Sequence, residues 1–439
     1  MTGPRIDAGR LLADLAEVGA IGATPAGGIH RLAASAEDGE ARAWLRAAAP
    51  AVGADVRVDE VGNLFLRRPG TGASAGRSIL LGSHLDSQPM AGRYDGAYGV
   101  LAGLAVLRAL EEAGHATRHG VELVDWTNEE GARFAPMMGG SSVYAGRLTA
   151  AEALAAPARG GAARDAEGAT GPGDDDPPTT TLGSALRAIG WAGTDVVTPD
   201  EHVAYLEAHI EQGPLLEAEG LSLAAVTGVQ GMAWLEVTID GEAAHAGTFP
   251  MESRRDALVT AADVVARVHE IGLARPGVGR ATVGRLAVEP GSPNVVPSRA
   301  SLTIELRHPE AAELDAMIDE ARSAVEVVAG ARGTRGSVHL ASRTDPVTFA
   351  PVVRHAVGKA VAELGHPPRE MVSGAGHDAM QVAARVPAGM LFIPCVGGIS
   401  HAEAEDITPQ WAIAGAEALL LAVLGLDDTL DDRASGGTS

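Results

Sequence analysis

Three potential metal ligands lie in one short segment of the chain, between Gly82 and Gly96. They are His84, Asp86 and Asp95. The apolar run 78–81 before them predicts a buried strand, and the run 97–112 after them predicts a helix. In an open α/β sheet, ligands bind in the crevice beyond the carboxyl ends of the strands. The segment therefore stands where a metal or substrate site is expected.

His84 and Asp86 are two positions apart, so on an extended backbone their side chains point to the same side. This spacing favours a metal-bound histidine whose other ring nitrogen is held by the aspartate. The same spacing also occurs in surface turns. The positions of the other histidine and acidic residues in the sequence distinguish the two interpretations.

Further candidate ligands lie in or after other predicted strands. They are Glu130, His209 and His401, which belong to the strands predicted at 121–126, near 204–213 and at 389–394. Taken alone, His209 is better explained as a core histidine, and the acidic pair 129–130 could form a solvated turn. Two divalent cations about 3.5 to 4 Å apart commonly share a carboxylate, and each takes further imidazole or carboxylate ligands. With His84 and Asp95, the five side chains fit a two-metal site in which Asp95 is the shared ligand.

Glu129 directly precedes Glu130, and neighbouring side chains of an extended segment diverge. Only one of the pair can easily reach the metal ions. The other, Glu129, is then available as a general base for the attacking water.

Composition limits the class of protein. The chain has 439 residues, enough for two or three domains, and its net charge of −23 argues against nucleic acid or an anionic membrane as a partner. Cys395 is the only cysteine, which favours a reducing compartment. The N-terminus has no apolar signal region, and no stretch of eighteen or more residues is both apolar and uncharged. We therefore expect a cytoplasmic protein without a membrane span.

The order of predicted elements indicates an α/β fold with two domains. Strands and helices alternate through 1–220 and again through 335–439, which predicts a discontinuous catalytic domain with a mostly parallel sheet. Between them, 221–334 predicts an inserted α+β domain with a four-stranded antiparallel sheet, its strands near 223–229, 232–240, 281–288 and 299–306. From about Ala150 to Thr181 the apolar periodicity disappears, and the acidic, proline-rich segment 171–178 fits a surface insertion.

The glycines of 92–103 do not form the Gly-x-Gly-x-x-Gly pattern that binds phosphates after a strand, which excludes a nucleotide site there.

Several other motifs do form a family pattern. They are the run 82–96, Asn128–Phe134, His209–Pro214, Ala244–Thr248, Asn294–Pro297, Leu306–Pro309, Ser373–Asp378 and Gly398–His401. Together they resemble the M20 metallopeptidase superfamily and, within it, the hydantoinase/carbamoylase branch, over nearly the whole chain.

The resemblance implies a catalytic domain with two divalent metal ions per subunit and a smaller lid domain that forms a homodimer. By position, the metal ligands are His84, Asp95, Glu130, His209 and His401. Glu129 matches the general base, and Asp86 the aspartate beside the first histidine. The donor set accepts zinc, manganese, cobalt or nickel, so the sequence leaves the native metal open.

The resemblance also implies a set of substrate contacts. Gln212 matches a residue of the carbamoylase branch that touches substrate, and Asn294 and Arg307 match residues that hold it. His245 would stabilise the oxyanion, in the active site of the partner subunit. His377 matches a motif residue that either supports the metal ligands or has a structural role. An arginine suits a substrate carboxylate because its guanidinium pairs with both oxygens.

The reaction expected from the resemblance is hydrolysis of the ureido C–N bond of an N-carbamoyl-L-amino acid, which gives the amino acid, ammonia and carbon dioxide. A β-ureidopropionase and an allantoate amidohydrolase are alternatives. An aminoacylase or dipeptidase of the same superfamily is disfavoured by His209 and Gln212, and a catalytically silent dimeric binding protein by the intact ligand set. The loop Ala402–Glu405 departs from the family pattern of Asn or Ser followed by Pro, which leaves the substrate open.

Overall fold

The structure, a computed structural model, describes residues 3–159 and 179–430. It divides the chain into two units, one formed by Met1–Thr227 with Phe349–Ser439 and the other by Gly228–Thr348. The segment 171–178 lies outside the described residues.

The described residues form fifteen strands and twelve α-helices. The strands are β1 (Asp55–Val58), β2 (Leu64–Arg68), β3 (Ser78–His84), β4 (Gly120–Trp126), β5 (His202–Ile210), β6 (Ala224–Val229), β7 (Gly231–Asp240), β8 (Ala244–His245), β9 (Arg280–Glu289), β10 (Val295–Val296), β11 (Arg299–His308), β12 (Arg335–Thr344), β13 (Val347–Thr348), β14 (Glu370–Ser373) and β15 (Ala388–Ile393). The helices are α1 (Ala8–Gly19), α2 (Ala36–Ala48), α3 (Ala97–Glu112), α4 (Gly139–Tyr144), α5 (Ala150–Ala155), α6 (Leu182–Ala188), α7 (Leu215–Glu219), α8 (Ala257–Leu273), α9 (Ala311–Arg332), α10 (Pro351–Glu363), α11 (Asp378–Val382) and α12 (Pro409–Thr429).

The larger sheet has nine strands in the order β1-β2-β4-β3-β5-β15-β6-β13, with β14 paired to β6. Its four central strands, β4, β3, β5 and β15, are parallel. Every residue of these four strands is buried, as expected for parallel strands covered on both faces. Their carboxyl ends meet at one edge of the sheet.

Helix α3 begins directly after the first ligand segment and is almost entirely buried. It packs against β3, β5 and α12. Among the described residues, α12 alone is long and apolar enough to cross a membrane by length and composition, but half of its most apolar window is buried. Such burial is typical of a helix that packs in a protein core.

The second unit contains a four-stranded antiparallel sheet in the order β12-β7-β11-β9 and a two-stranded ribbon, β8-β10. Along β7 and β11, buried residues alternate with more exposed ones, so one face of the sheet is buried. Helices α8 and α9 pack against this sheet. The predicted fold class, an α/β sheet domain with an inserted α+β domain, is confirmed.

The strands of the inserted unit differ in one respect from the prediction. The segment predicted as its first strand, near 223–229, is β6, which pairs with β15 in the larger sheet. The fourth strand is instead β12, which follows the predicted boundary at 334 and pairs with β7. The structural boundaries therefore lie at 228 and 348, where the sequence suggested 221 and 334.

A second difference concerns the region that lost its apolar periodicity. Residues Ala150–Ala155 form a helix, α5. Thr149 and Glu152 form a capping box at its N-terminus, in which each side chain bonds the other residue's backbone N–H. Because this signal needs only two polar residues three positions apart, a search for apolar periodicity misses it.

Candidate active site

The five predicted metal ligands lie at the carboxyl edge of the parallel strands. His84 ends β3, Glu130 follows β4, and His209 is the penultimate residue of β5. His401 follows β15 after a short loop, and Asp95 lies just before α3. Four are buried, while the His401 side chain is 49% exposed. The site therefore has one open side.

Asp95 lies between two groups of these ligands. Its Oδ1 is 3.1 Å from Nε2 of His209 and 3.8 Å from Nε2 of His84. Its Oδ2 is 3.2 Å from Nε2 of His401, which is 3.6 Å from Oε2 of Glu130. In each group, the potential ligand atoms lie within 4.8 Å of one another. Each group therefore contains one carboxylate oxygen of Asp95.

Hydrogen bonds on the far side of the rings fix which nitrogen faces Asp95. Nδ1 of His84 lies 2.8 Å from the carbonyl oxygen of Asp86, and Nδ1 of His209 lies 2.9 Å from that of Ile210. A carbonyl only accepts, so each Nδ1 carries a hydrogen and donates it. In a neutral ring, the Nε2 lone pair then points at an aspartate oxygen, a contact that requires a proton or a metal cation between them. The donor set therefore fits divalent metal ions.

Charge at these rings is set mainly by burial and by Asp95. Burial lowers the pKa of His84 to about 4, although Asp95 opposes this effect. At His209, burial acts in the same direction, but the hydrogen bond and charge of Asp95 prevail and raise the pKa to about 9. The hydrogen bond that Asp95 accepts from His401 also raises the pKa of His401 to about 9.

Asp86 has a different role from the one expected. Its carboxylate does not hydrogen-bond the ring of His84, because Oδ1 is 3.8 Å from Nδ1 and the backbone carbonyl of Asp86 takes that position. The carboxylate instead accepts the backbone N–H groups of Glu129 and Glu130, at 3.2 and 3.3 Å. Asp86 therefore connects the turn after β3 to the acidic turn after β4.

Glu129 lies against the histidine cluster, its Oε2 3.6 Å from Nε2 of His84. Burial raises the pKa of Glu129 well above its ordinary value, and the neighbouring charges of Asp378 and Glu130 raise it further. Burial, followed by the charge of Asp95, raises the pKa of Glu130 to about 7. A carboxyl group with a raised pKa takes up a proton readily, as a general base must.

The backbone is strained around the site. Asn128, Gln212 and His401 have positive φ angles of 57°, 55° and 53°, a region that non-glycine residues seldom adopt. They follow β4, β5 and β15, respectively. Gly96 allows His84 to lie close to the backbone, since a Cβ atom at position 96 would be only 2.4 Å from its ring. The turns after β4, β5 and β15 thus bring the side chains of the candidate site close to one another.

Gln212 contacts the ligand group that contains His401 and Oδ2 of Asp95. Its Nε2 donates to Oδ2 of Asp95 at 2.8 Å and lies 3.3 Å from Nε2 of His401. Its Oε1 is buried and has no hydrogen-bond partner among the described residues. This side chain has a free acceptor next to the candidate metal ligands.

His377 lies behind His209, and the two rings meet edge to face at 4.5 Å. Its Nε2 is 2.9 Å from Oγ of Ser373. Glu207, His209 and His377 form a third group of potential ligands. The carboxylate of Glu207 is already satisfied, however, by Ser83, Tyr205 and the backbone N–H of Ala379. We therefore interpret Glu207 and His377 as residues that hold His209 in place.

The remaining predicted residues lie in the second unit. His245 in β8 pairs with Val295 in β10, and the backbone oxygen of Asn294 accepts from the N–H of Ala246. His245 and Asn294 are exposed and adjacent. Nδ1 of His245 accepts the N–H of Gly247 at 3.1 Å, so Nε2 carries the proton and can donate.

Arg307 lies on β11, where its Nε donates to Oε1 of Glu305 at 2.7 Å. Glu305 also accepts from Nε1 of Trp234 at 2.7 Å. These bonds orient the guanidinium along the sheet.

Several polar residues that touch the cluster were not predicted from the sequence. Gln88 donates to the carboxylate of Glu130 at 2.8 Å, and Glu405 accepts the backbone N–H of Asp95 at 3.1 Å. Glu207 could have been found, because it is two positions before His209 on a strand and so shares its side. Glu405 offered no such signal, since it lies 310 residues from Asp95 in sequence.

Comparisons with known proteins identify the family of the chain. Residues 80–425 match the model of peptidase family M20/M25/M40. The chain belongs to this family. It is 39% identical over 420 residues, 96% of both chains, to an N-carbamoyl-L-amino-acid amidohydrolase of Rhizobium meliloti. It is 33% identical over 404 residues, 91% of this chain and 92% of the relative, to an allantoate amidohydrolase of Bacillus subtilis.

Among solved structures, a hydantoinase/carbamoylase family amidase from Burkholderia multivorans superposes with a TM-score of 0.87. It is 44% identical, and the match covers 96% of this chain and 98% of that one. The predicted membership of the M20 family and the enzyme class, an amidohydrolase, are confirmed.

Proposed function

We propose that this M20 family enzyme hydrolyses the ureido C–N bond of an N-carbamoyl-L-amino acid and releases the amino acid, ammonia and carbon dioxide. The observation that carries the proposal is the arrangement around Asp95, whose two oxygens face separate ligand groups with Glu129 beside them. The amidohydrolase relative of Rhizobium meliloti, which matches over 96% of both chains, supports the choice of substrate.

The cofactors we propose are two divalent metal ions, zinc, manganese, cobalt or nickel. His84 and His209 would hold one with Oδ1 of Asp95, and Glu130 and His401 the other with Oδ2. When bound, such ions polarise a carbonyl group and lower the pKa of water in the site.

The side chains of the enzyme perform the proton transfers. Glu129 accepts a proton from the water molecule while the water oxygen attacks the carbamoyl carbon. His245 donates a hydrogen bond from Nε2 to the oxygen on which negative charge develops. Protonated Glu129 then gives the proton to the terminal nitrogen, the C–N bond breaks, and ammonia leaves. The carbamate that remains loses carbon dioxide to give the free amine.

Substrate binding is assigned to polar residues with suitable hydrogen-bonding groups. Gln212 offers its unpartnered oxygen to the ureido N–H groups. Arg307 pairs with the substrate carboxylate through two parallel N–H groups, the geometry that distinguishes arginine from lysine. Asn294 holds the substrate from the ribbon that carries His245. Asp86 and His377 orient the reacting groups without touching substrate.

We also propose a homodimer in the cytoplasm. The support is that His245 and Asn294 are exposed on their ribbon, where a second subunit can reach them. Sedimentation of the purified full-length protein measures the assembly directly, and a monomer at micromolar concentration would contradict it.

The experiment that tests the function is ammonia release by the metal-reconstituted enzyme from a substrate panel. The panel contains N-carbamoyl-L-amino acids, N-carbamoyl-β-alanine, allantoate and N-acetyl-L-amino acids. We expect the highest kcat/KM with an N-carbamoyl-L-amino acid and no cleavage of the acetyl compounds. Cleavage of the acetyl compounds alone would indicate an aminoacylase, and no cleavage at all a binding protein.

Allantoate is the second candidate substrate. The relative from Bacillus subtilis that is named as an allantoate amidohydrolase matches 91% of this chain. Allantoate carries a ureido group and a carboxylate, so the same side chains could bind it. A kcat/KM higher for allantoate than for every N-carbamoyl amino acid would favour it.

A further inference from the structure

The loop after His401 contains two glutamates with different partners. Glu403 accepts a hydrogen bond from the hydroxyl of Thr24, near the N-terminus. Glu405 is buried, with 2% of its surface exposed, and turns toward the candidate metal ligands. The two side chains are two positions apart, so they provide a natural comparison.

Glu405 joins the two loops that carry Asp95 and His401. Its Oε1 accepts the backbone N–H groups of Tyr94 and Asp95 at 3.0 and 3.1 Å. Its Oε2 lies 2.9 Å from the hydroxyl of Ser400, which is also 3.2 Å from Oδ2 of Asp95. One carboxylate therefore fixes the peptide of Asp95 and the residue before His401.

Gly92 leaves the space that Glu405 occupies. A Cβ atom at position 92 would lie 2.1 Å from Cδ of Glu405 and 2.4 Å from its Cβ. Because both ends of the side chain are this close, a methyl group there must displace Glu405 as a whole. A substitution of Gly92 thus disturbs the same contacts from the other side.

We propose that Glu405 is a positioning residue that sets the metal affinity of the site by fixing Asp95 relative to His401. This inference rests on the metal site of the proposed function. The role requires hydrogen-bond acceptors at the right place rather than negative charge. Glutamine keeps one oxygen for the two backbone N–H groups, and its amide can donate to Ser400, whose hydroxyl hydrogen then serves Asp95. Glutamine should therefore replace Glu405, whereas aspartate, shorter by one methylene, should not.

The test is titration of the full-length, metal-free protein with Zn²⁺ against a competing chromophoric chelator. We expect Glu405→Ala, Glu405→Asp and Gly92→Ala to weaken Zn²⁺ binding by about 10- to 100-fold, the usual effect of removing a residue that orients a metal ligand. Glu405→Gln and the matched control Glu403→Ala should bind as tightly as the wild type. Cooperative unfolding of each metal-free variant checks that it is folded.

The outcomes separate this inference from the proposed function. If the wild type binds Zn²⁺ and Glu405→Asp binds it equally well, the positioning role is wrong and the metal site stands. Equal weakening by Glu403→Ala would assign the effect to the loop as a whole and overturn the proposal. If the wild type binds no divalent cation, the proposed function fails, and the role of Glu405 fails with it. Should Glu405→Ala not fold, Glu405→Asp and Gly92→Ala still decide.

Discussion

The two ends of the parallel sheet both bury charged side chains, but the surroundings of these side chains differ. At the amino end, Glu122 of β4 accepts from Arg57 at 2.6 Å through Oε1 and lies 3.1 Å from His202 through Oε2. Burial alone would raise the pKa of Glu122, yet His202 and Arg57 lower it below its ordinary value. Each carboxylate oxygen of Glu122 therefore has a nitrogen partner, in the guanidinium of Arg57 or the ring of His202.

At the carboxyl end, several acidic side chains lie near one another. The pKa of Glu129 is raised by burial and then by the charges of Asp378, Glu130, Asp86 and Asp95. Buried charges are costly unless they are paired or bind metals. Glu122 is hydrogen-bonded through both oxygens at the amino end, whereas the carboxyl end combines clustered carboxylates with imidazoles, a donor set that can bind metal cations. A raised carboxylate pKa in a cluster that also contains imidazoles is thus the feature that separates a functional site from a structural ion pair.

The largest expected contrast is in turnover. Glu129→Gln removes the group that accepts the proton and should lower kcat by about 10² to 10⁴ or more, while the metal ligands stay in place. Glu122→Gln, the matched change at the amino end, should leave kcat within the range of the wild type. Steady-state ammonia release and metal analysis of both variants give the result. Retained turnover in Glu129→Gln would remove Glu129 from the role of base.

Metal binding should distinguish the two ends next. A ligand that binds only the folded state adds about 2.7 kcal/mol of stability at a concentration of 100 times its Kd. Zn²⁺ should therefore raise the Tm of the metal-free wild type and of Glu122→Gln, but not that of Asp95→Asn. Thermal unfolding with and without Zn²⁺ measures the shift. An equal shift in Asp95→Asn would place the bound cation elsewhere.

Stability itself should respond in the opposite pattern. The side chains of His202 and Glu122 are fully buried, and leaving a buried polar group without its partner costs about 1 to 3 kcal/mol, more for a charged group. His202→Ala should lower the free energy of unfolding by about 3 kcal/mol and leave the Zn²⁺ affinity of the folded protein unchanged. Urea unfolding and chelator competition test the two halves of this statement. A large loss of Zn²⁺ affinity would show that the two ends are coupled.

The sequence predicted the carboxyl end far better than the amino end. His84, Glu129 and His209 stand out because short apolar strands precede or carry them, and their residue types are typical of metal sites. Glu122 and His202 were not identified, since within buried strands a charged residue is explained only by a partner on another strand. Contacts of this kind depend on strand order, which local patterns do not contain.

Local sequence patterns also explain the two errors in the strands of the inserted domain. Segment β6 is buried on both faces, so its pattern does not indicate which sheet it joins. Strand β12 is an edge strand, with partly exposed residues alternating with fully exposed ones, and it has a weak apolar signal. The error at β6 concerns the partner of the strand, whereas no strand was predicted at the position of β12, so its existence was missed.

The smallest expected effect is a pH dependence of the contribution of Glu122. The pKa of this carboxyl is lowered in the folded state from an ordinary value of 4.5, so between the two values the unfolded chain binds more protons than the folded one. Stability then rises with pH in that interval. The difference in unfolding free energy between the wild type and Glu122→Gln should be complete above pH 4.5 and should decline as the pH falls through the folded-state pKa. Because other carboxyl groups titrate in the same range, only this difference is informative, and metal-free protein must be used so that the carboxyl end does not contribute. A difference that stays constant from neutral pH to acid pH would mean that the charge of Glu122 adds no stability, and the electrostatic contrast between the two ends would then be wrong.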